Sequence, residues 1–185
     1  LERREPRPVT LQERKLRELV KDQTPQEAVA GLKTRVENGA GIAEAWPALM
    51  AYLEARPEQT QAVANELKSG ELAPEVVNPL YIALGNARTP ESLEALLTIK
   101  RDTSAPPTER ARAMFSLVDR PDVGAPLARE LREDSQALEG TPTASERFVA
   151  NESLLALTTM AGQHPQPDVQ QIALDTVRPL LASSS

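Results

Sequence analysis

Apolar residues recur along most of this chain at the three- and four-residue spacing of an amphipathic α-helix. The clearest example runs from Ile42 to Leu53, where Ala45, Trp46 and Leu49 complete a stripe with a period near ~3.6 residues. Signals for β-strands, such as alternation of apolar and polar residues, are absent. The pattern therefore predicts an all-helical protein.

Helix starts recur at a nearly constant interval. Proline followed by an acidic or amide residue occurs at steps of 32, 33, 31 and 46 residues, at Pro25, Pro57, Pro90, Pro121 and Pro167. Proline fits the first helical position, and a carboxylate in the first turn is stabilised by the helix dipole. The interval predicts an α-α superhelix, or solenoid, of about five antiparallel helical pairs.

The apolar stripes and caps place both helices of each pair. The first helices are predicted to begin at Thr10, Ile42, Pro74, Pro106 and Thr143, and the second helices at the five prolines named above. A longer connection over residues 134–142 accounts for the step of 46 residues. We expect one helical-repeat domain over residues 10–182, a charged tail or linker over residues 1–9, and a frayed end over residues 183–185.

Two further prolines, Pro47 and Pro79, lie 32 residues apart in the first helices of the second and third pairs. An interior proline removes a backbone hydrogen bond and kinks the helix. Alternatively, Asn78 and Pro79 are the cap and first position of a helix that begins later. The sequence leaves both interpretations open.

A second similarity links two of the first helices. Residues 109–117 recur as residues 146–154 at a constant offset of 37, with Glu, Arg, Ala, Ser and Leu matching. The shared arginines, Arg110 and Arg147, lie in the opening helical turn, where the helix dipole disfavours a cation. We therefore expect each guanidinium to bridge adjacent pairs by bonding a carboxylate or a backbone carbonyl.

Charge and composition exclude several classes of function. Residues 1–21 hold seven Arg or Lys and four Glu, a net +3, which leaves −9 for the remainder of a chain whose total is −6. An acidic body argues against nucleic acid as the main partner. The absence of cysteine excludes disulfides and thiolate chemistry, and no apolar run approaches the ~20 residues of a transmembrane helix. Because the chain begins without Met, we expect a processed product or a piece of a longer protein; its compartment is unknown.

Candidate catalytic chemistry is sparse. The single histidine, His164, is expected to be an ordinary exposed turn residue, and it has no second His or Cys with which to bind a metal. No glycine-rich phosphate loop occurs, and neighbouring acids such as Glu130, Glu133 and Asp134 are typical of a solvated helix face. We therefore expect no enzymatic activity, cofactor or metal.

The segment from Ala83 to Leu93, with Ala-Leu-Gly before Pro and an acid, resembles HEAT and HEAT-like repeats of bacterial proteins. The repeated first helix containing Arg110 is similar to the Arg-containing first helix of that repeat. Residues 69–72 with 83–87 are also similar to the helical domain of vitellogenin-type lipid-transfer proteins. The first resemblance implies a stack of helical pairs, and the second implies lipid handling.

Two functions follow as expectations. The first is a non-enzymatic scaffold, one module of a larger bacterial protein, whose second helices offer an extended surface to a protein of unknown identity. Its candidate contacts are polar residues outside the apolar stripes: Glu94, Lys100, Arg129 and Arg132. The alternative is a lipid-binding or lipid-transfer module, which needs an apolar concavity.

Overall fold

The computed structural model describes residues 10–68 and 72–182. Every secondary-structure element assigned in these residues is a helix. The prediction of an all-helical protein is confirmed for this part of the chain. The α-helices are α1 (Leu11–Val20), α2 (Pro25–Glu37), α3 (Ile42–Ala45), α4 (Pro47–Ala55), α5 (Thr60–Lys68), α6 (Pro74–Asn86), α7 (Pro90–Arg101), α8 (Pro107–Val118), α9 (Ala125–Gln136), α10 (Ala144–Gln163) and α11 (Pro167–Ala182). The tail at residues 1–9, residues 69–71 and the end at residues 183–185 lie outside the described residues.

Threonine caps hold several helix starts where the sequence predicts them. Thr24 and Thr143 each accept a hydrogen bond from the backbone N–H three residues ahead, and the glutamate at that position bonds back to the cap. Thr89 accepts from the backbone N–H of Ser92 at 3.2 Å, at the start of α7. At the other end of α2, Gly39 has a φ of 81°, a left-handed conformation that favours glycine.

Two predicted helix starts and one predicted continuous helix are corrected by the structure. The helix expected from Ile42 is broken at Pro47, where α3 ends and α4 begins, because proline fits a first turn better than an interior. Pro57 opens a short 3-10 turn, and α5 starts only at Thr60. Pro121 lies in a loop, and α9 begins at Ala125. By contrast, Pro79 lies inside α6, so the alternative of a later helix start there is wrong.

The chain divides into two compact units, Leu1–Ala83 and Leu84–Ser185, so the boundary falls within α6. The single domain expected over residues 10–182 stays a prediction. In the first unit, α1 packs on α4, and α2 packs on both α4 and α5. The core of this unit is centred on α4, where Tyr52 and Leu53 are fully buried.

In the second unit, α10 is the central helix. It packs on α8, α9 and α11, while α7 packs on α8 and α9 packs on α11. Six residues of α10 are buried, among them Ala150, Leu157 and Met160. The long apolar run that the sequence shows in this helix is explained by these three neighbours.

Candidate functional site

The second unit contains a buried arginine that the sequence analysis passed over. Arg120 lies in the loop between α8 and α9, and only 3% of its surface is exposed. Its guanidinium donates to the backbone carbonyls of Leu84, Ala87 and Thr89 at 3.1, 2.8 and 3.2 Å, and to the hydroxyl of Ser92 at 2.9 Å. Carbonyls at the end of a helix have no partner within it, so Arg120 satisfies the end of α6 and the turn into α7.

Arg120 is also held by its own loop. Its Nε donates to Asp122 at 3.0 Å, and one terminal nitrogen donates to the second oxygen of the same carboxylate at 2.7 Å. This two-point pairing fixes the plane of the guanidinium. The carboxylate of Asp122 therefore neutralises the charge of the guanidinium, and the remaining N–H groups of Arg120 bind the carbonyls.

The first unit repeats this arrangement with the same three-residue pattern. Arg56, followed by Pro57 and Glu58, donates to Glu58 at 2.5 Å and to the carbonyl of Lys21 at 3.0 Å. Lys21 directly follows α1, so the arginine again binds the end of an earlier helix. We name the pattern of arginine, proline and acid the carbonyl clamp.

A related turn precedes α11. Gln166, followed by Pro167 and Asp168, donates through its side-chain amide to the carbonyl of Pro121 at 2.8 Å. The residue before proline therefore binds a carbonyl of an earlier loop here as well. The sequence carried this signal, because Arg56 and Arg120 each stand directly before a proline that was interpreted only as a helix start.

A second buried cation lies on α7. Lys100 is 2% exposed, and its ammonium donates to Glu130 at 2.5 Å and lies 2.7 Å from Asp134, both on α9. Arg101 pairs with Glu130 at 3.0 Å, and the hydroxyl of Ser153 lies 3.5 Å from Asp134. We name these residues the ion-pair cluster.

The acids of the ion-pair cluster belong to a neutral network. Burial raises the pKa of Glu130, but hydrogen bonds from Arg101 and Lys100 outweigh burial, and the net pKa is lowered. The bond to Glu130 raises the pKa of Arg101. Glu130 is therefore stabilised as a carboxylate by two cations, so the cluster is suited to tying α7 to α9 rather than to exchanging protons.

The structure corrects the placement of Lys100 as a partner contact. The sequence predicts that Lys100 lies outside the apolar stripe of its helix, but Leu93 and Leu97, two apolar residues of α7, are only half-buried. The buried face of α7 instead follows Ser92, Ala95, Leu96, Ile99 and Lys100. Small and polar residues interrupt the apolar pattern on this face, so the pattern does not show that the face is buried. Lys100 is not accessible to a partner.

The other three candidate contacts are exposed. Glu94 lies on the outer side of α7, and Arg129 and Arg132 lie on the outer side of α9. In the described part of the chain, neither of these arginines forms an ion pair or a side-chain hydrogen bond, whereas Glu130 of the same helix faces the ion-pair cluster. Helix α9 thus has one face for packing and one with free cations.

The two repeated arginines differ. Arg110 is half-buried, and its Nε donates to the carbonyl of Lys100 at 3.0 Å, a bridge from α8 to α7 of the kind expected. Arg147 is exposed, and its guanidinium has no partner among the described residues. The expected bridge from Arg147 is therefore not formed within the described residues.

His164 is buried rather than exposed, which corrects the expectation for the turn after α10. It is 2% exposed, and its Nδ1 accepts a hydrogen bond from the backbone N–H of Gln166 at 3.2 Å. Its Nε2 is buried without a partner in the described residues. No three His, Cys, Asp or Glu side chains are grouped as metal ligands in residues 10–68 and 72–182.

An open groove of about 510 Å³ lies in the first unit. Its walls are mostly apolar and include Val36, Ile42, Pro74 and Pro79, with Glu75 and Asn78 as the polar members. Ile42 is 56% exposed there. The groove therefore offers apolar surface to a ligand, without a charged residue other than Glu75 in its lining.

Comparisons with known proteins leave the family open. Protein-family models, curated proteins and solved structures give no match to this chain. Within the described residues, no helix is long and apolar enough to cross a membrane.

Proposed function

We propose that this protein is a non-enzymatic helical-repeat scaffold that binds another protein along its second helices. The observation that carries the proposal is the pair of exposed cations Arg129 and Arg132 on α9, whose guanidiniums have no partner among the described residues. The ion-pair cluster ties the opposite edge of this helix to α7, so the two guanidiniums are presented from a fixed support. Arginine is enriched in protein interfaces because its planar group forms several directed hydrogen bonds.

The packing within each unit supports a superhelix. In the first unit, first helices pack on each other (α1 with α4), a second helix packs on the next first helix (α2 with α4), and second helices pack on each other (α2 with α5). The second unit follows the same rule with α8 and α10, α9 and α10, and α9 and α11. A rule that repeats from pair to pair is what a solenoid requires.

The carbonyl clamps support the same architecture. Arg56 and Arg120 each connect the loop of one pair to the end of the first helix in the pair before it. In a stack where each pair contacts mainly its neighbours, such links set the rotation between successive pairs. That rotation determines the surface that the second helices offer to a partner.

The test is a capture experiment with three forms of the protein. We expect the immobilised chain to retain a partner from a bacterial lysate, and the double variant Arg129→Glu/Arg132→Glu to lose it. Arg88→Glu is the matched control, since Arg88 is also exposed and its charge is reversed in the same way. Equal capture by all three forms would exclude the α9 surface as the binding site.

Lipid binding is a second candidate, and the groove in the first unit is the observation that favours it. A lipid chain would contact Val36, Ile42 and the two prolines of the groove. Native mass spectrometry of the purified protein should then show bound lipid that is lost in Ile42→Asp and kept in Leu155→Asp. If neither form carries lipid, the groove has no such role.

A further inference from the structure

The long helix α10 exposes one face that carries no charge. Five residues at alternating three- and four-residue spacing form this face, and we name them the α10 seam: Phe148, Asn151, Leu155, Thr158 and Gly162. Phe148 is 37% exposed and Leu155 is 54% exposed. Exposed helix faces normally carry charged residues, so an uncharged seam over four helical turns indicates a surface that becomes covered.

The face of α8 that corresponds to the α10 seam is buried. The N-caps of α8 and α10, Pro106 and Thr143, lie 37 residues apart, the same offset that relates the two sequences. At that offset, Phe148, Asn151 and Leu155 correspond to Ala111, Met114 and Val118, all of which are buried in α8. Helix α8 has α10 packed on it, whereas none of the described helices takes the corresponding place on α10. The face is therefore of the kind that receives a helix.

Charges at the two margins of the seam identify the helix that fits. Arg147 lies on one margin and Glu152 on the other, and neither side chain has a partner among the described residues. In heptad terms, Phe148 and Leu155 occupy position a, Asn151 and Thr158 position d, Arg147 position g and Glu152 position e. In a parallel pair of helices, a residue at g faces the residue at e five positions further along the other helix. Arg147 of one copy then faces Glu152 of the other, and the reverse pair forms by symmetry.

We propose that the α10 seam is an interface between two copies of this chain, with the two α10 helices parallel and in register about a two-fold axis. Asn151 lies opposite Asn151 of the second copy, where the two amides hydrogen-bond and fix the register. In an antiparallel pair, the margin that carries Arg147 would face the same margin of the other helix. Neither Arg147 nor Glu152 would then meet an opposite charge. Charge complementarity therefore selects the parallel arrangement.

The absence of cysteine allows a direct test by crosslinking. In Leu155→Cys the introduced thiols face each other across the proposed axis, within the distance that a disulfide spans. Leu174→Cys is the matched control, because Leu174 on α11 is also an exposed leucine, at 37%. Under copper-catalysed air oxidation, Leu155→Cys should form covalent dimers at least about tenfold faster than the control, since only paired thiols meet without collision. Equal rates would overturn the proposal.

Charge exchange tests the register independently. Arg147→Glu and Glu152→Arg each place like charges together, and each should weaken self-association about tenfold or more in sedimentation equilibrium up to roughly 0.5 mM. An equimolar mixture of the two variants pairs opposite charges again and should recover association. Failure of the mixture to recover, or a wild-type chain that stays monomeric, overturns the proposal. Crosslinking between Phe148→Cys and Leu155→Cys without self-crosslinking of Leu155→Cys would show antiparallel pairing and overturn it as well.

Discussion

Arg120 makes more hydrogen bonds than any other cation described above. Because Arg120 is buried, we expect these bonds to contribute to the free energy of unfolding. We expect Arg120→Ala to lower the free energy of unfolding by about 3 to 5 kcal/mol, because buried carbonyls and the carboxylate of Asp122 lose their donor. Arg120→Lys should recover only part of this, since one ammonium cannot follow the fork of a guanidinium. Urea denaturation of the three forms measures the effect.

The control for Arg120 is Arg88→Ala. Arg88 is exposed, so its removal should change the free energy of unfolding by less than about 0.5 kcal/mol. If Arg120→Ala and Arg88→Ala had the same midpoint, the carbonyl clamp would contribute nothing to stability.

The pair Arg110 and Arg147 allows a comparison at one helical position. Arg110→Ala should cost about 1 to 2 kcal/mol, because the carbonyl of Lys100 loses a charged donor in a half-buried position. Arg147→Ala should cost less than about 0.5 kcal/mol at protein concentrations where the chain is monomeric. Chemical denaturation under identical conditions decides this, and equal losses would contradict the difference seen between the two side chains.

Acid should weaken the ion-pair cluster. The pKa of Glu130 is lowered in the folded protein, so its stabilising effect is complete above the unfolded value of about 4.3 and is lost as pH falls through the folded value. Stability of the native chain should therefore decline below about pH 5. Glu130→Gln should be less stable at neutral pH and should show a flatter profile below it. Parallel profiles for both forms from pH 6 to 3 would rule out this contribution.

At the scale of the helices, the sequence predicted well that the elements are helices, but it predicted less well where they begin. Thr24, Thr89 and Thr143 cap helices by local hydrogen bonds, which sequence can show. Pro57 and Pro121 lie in clamp turns whose geometry is set by the preceding arginine and its distant carbonyls. The arginine before each proline is visible in the sequence, but its carbonyl partners lie more than thirty positions away and are not, so the sequence alone does not place these two helix starts.

In the candidate site, too, the sequence shows what depends on local pattern and does not show what depends on distant contacts. The exposed positions of Glu94, Arg129 and Arg132 follow from the helical period, which sequence shows directly. Lys100 could not be placed, since a lysine is buried only where acids from another helix receive it, and Glu130 lies thirty residues further on. Burial of charge depends on tertiary partners that the local pattern does not reveal.

Within the second unit, Gly85 in the last turn of α6 lies against α8. A Cβ at this position would be 2.8 Å from the carbonyl oxygen of Ser116, which is backbone and cannot rotate away. Gly85→Ala should therefore destabilise the protein by about 1 to 3 kcal/mol, despite the higher helix propensity of alanine. Gly31→Ala in α2 meets nothing within 4 Å and should stabilise it by about 0.5 to 1 kcal/mol. Thermal denaturation separates the two, and stabilisation by both would show that the contact at Ser116 is not tight.

At the scale of the whole molecule, the two units differ in how deeply their helices are buried. Among the described side chains of α1, Val20 alone is buried, and Leu11 and Leu19 are 71% and 75% exposed. Helix α10 buries six residues and packs on three other helices of its unit. Protection against local opening should follow this difference.

Amide hydrogen exchange measures that protection helix by helix. In α1, few apolar contacts are lost when the helix opens, so its amides should exchange fastest among the described helices. The amides of α10 between Val149 and Met160 should exchange slowest, because opening this helix removes contacts with α8, α9 and α11 together. Leu157→Ala serves as a probe: Leu157 is fully buried, and its truncation should cost about 2 to 5 kcal/mol and accelerate exchange in α8, α9 and α11 as well as in α10. If α1 and α10 exchanged at the same rate, or if Leu157→Ala affected α10 alone, the second unit would not be a cooperative structure centred on this helix.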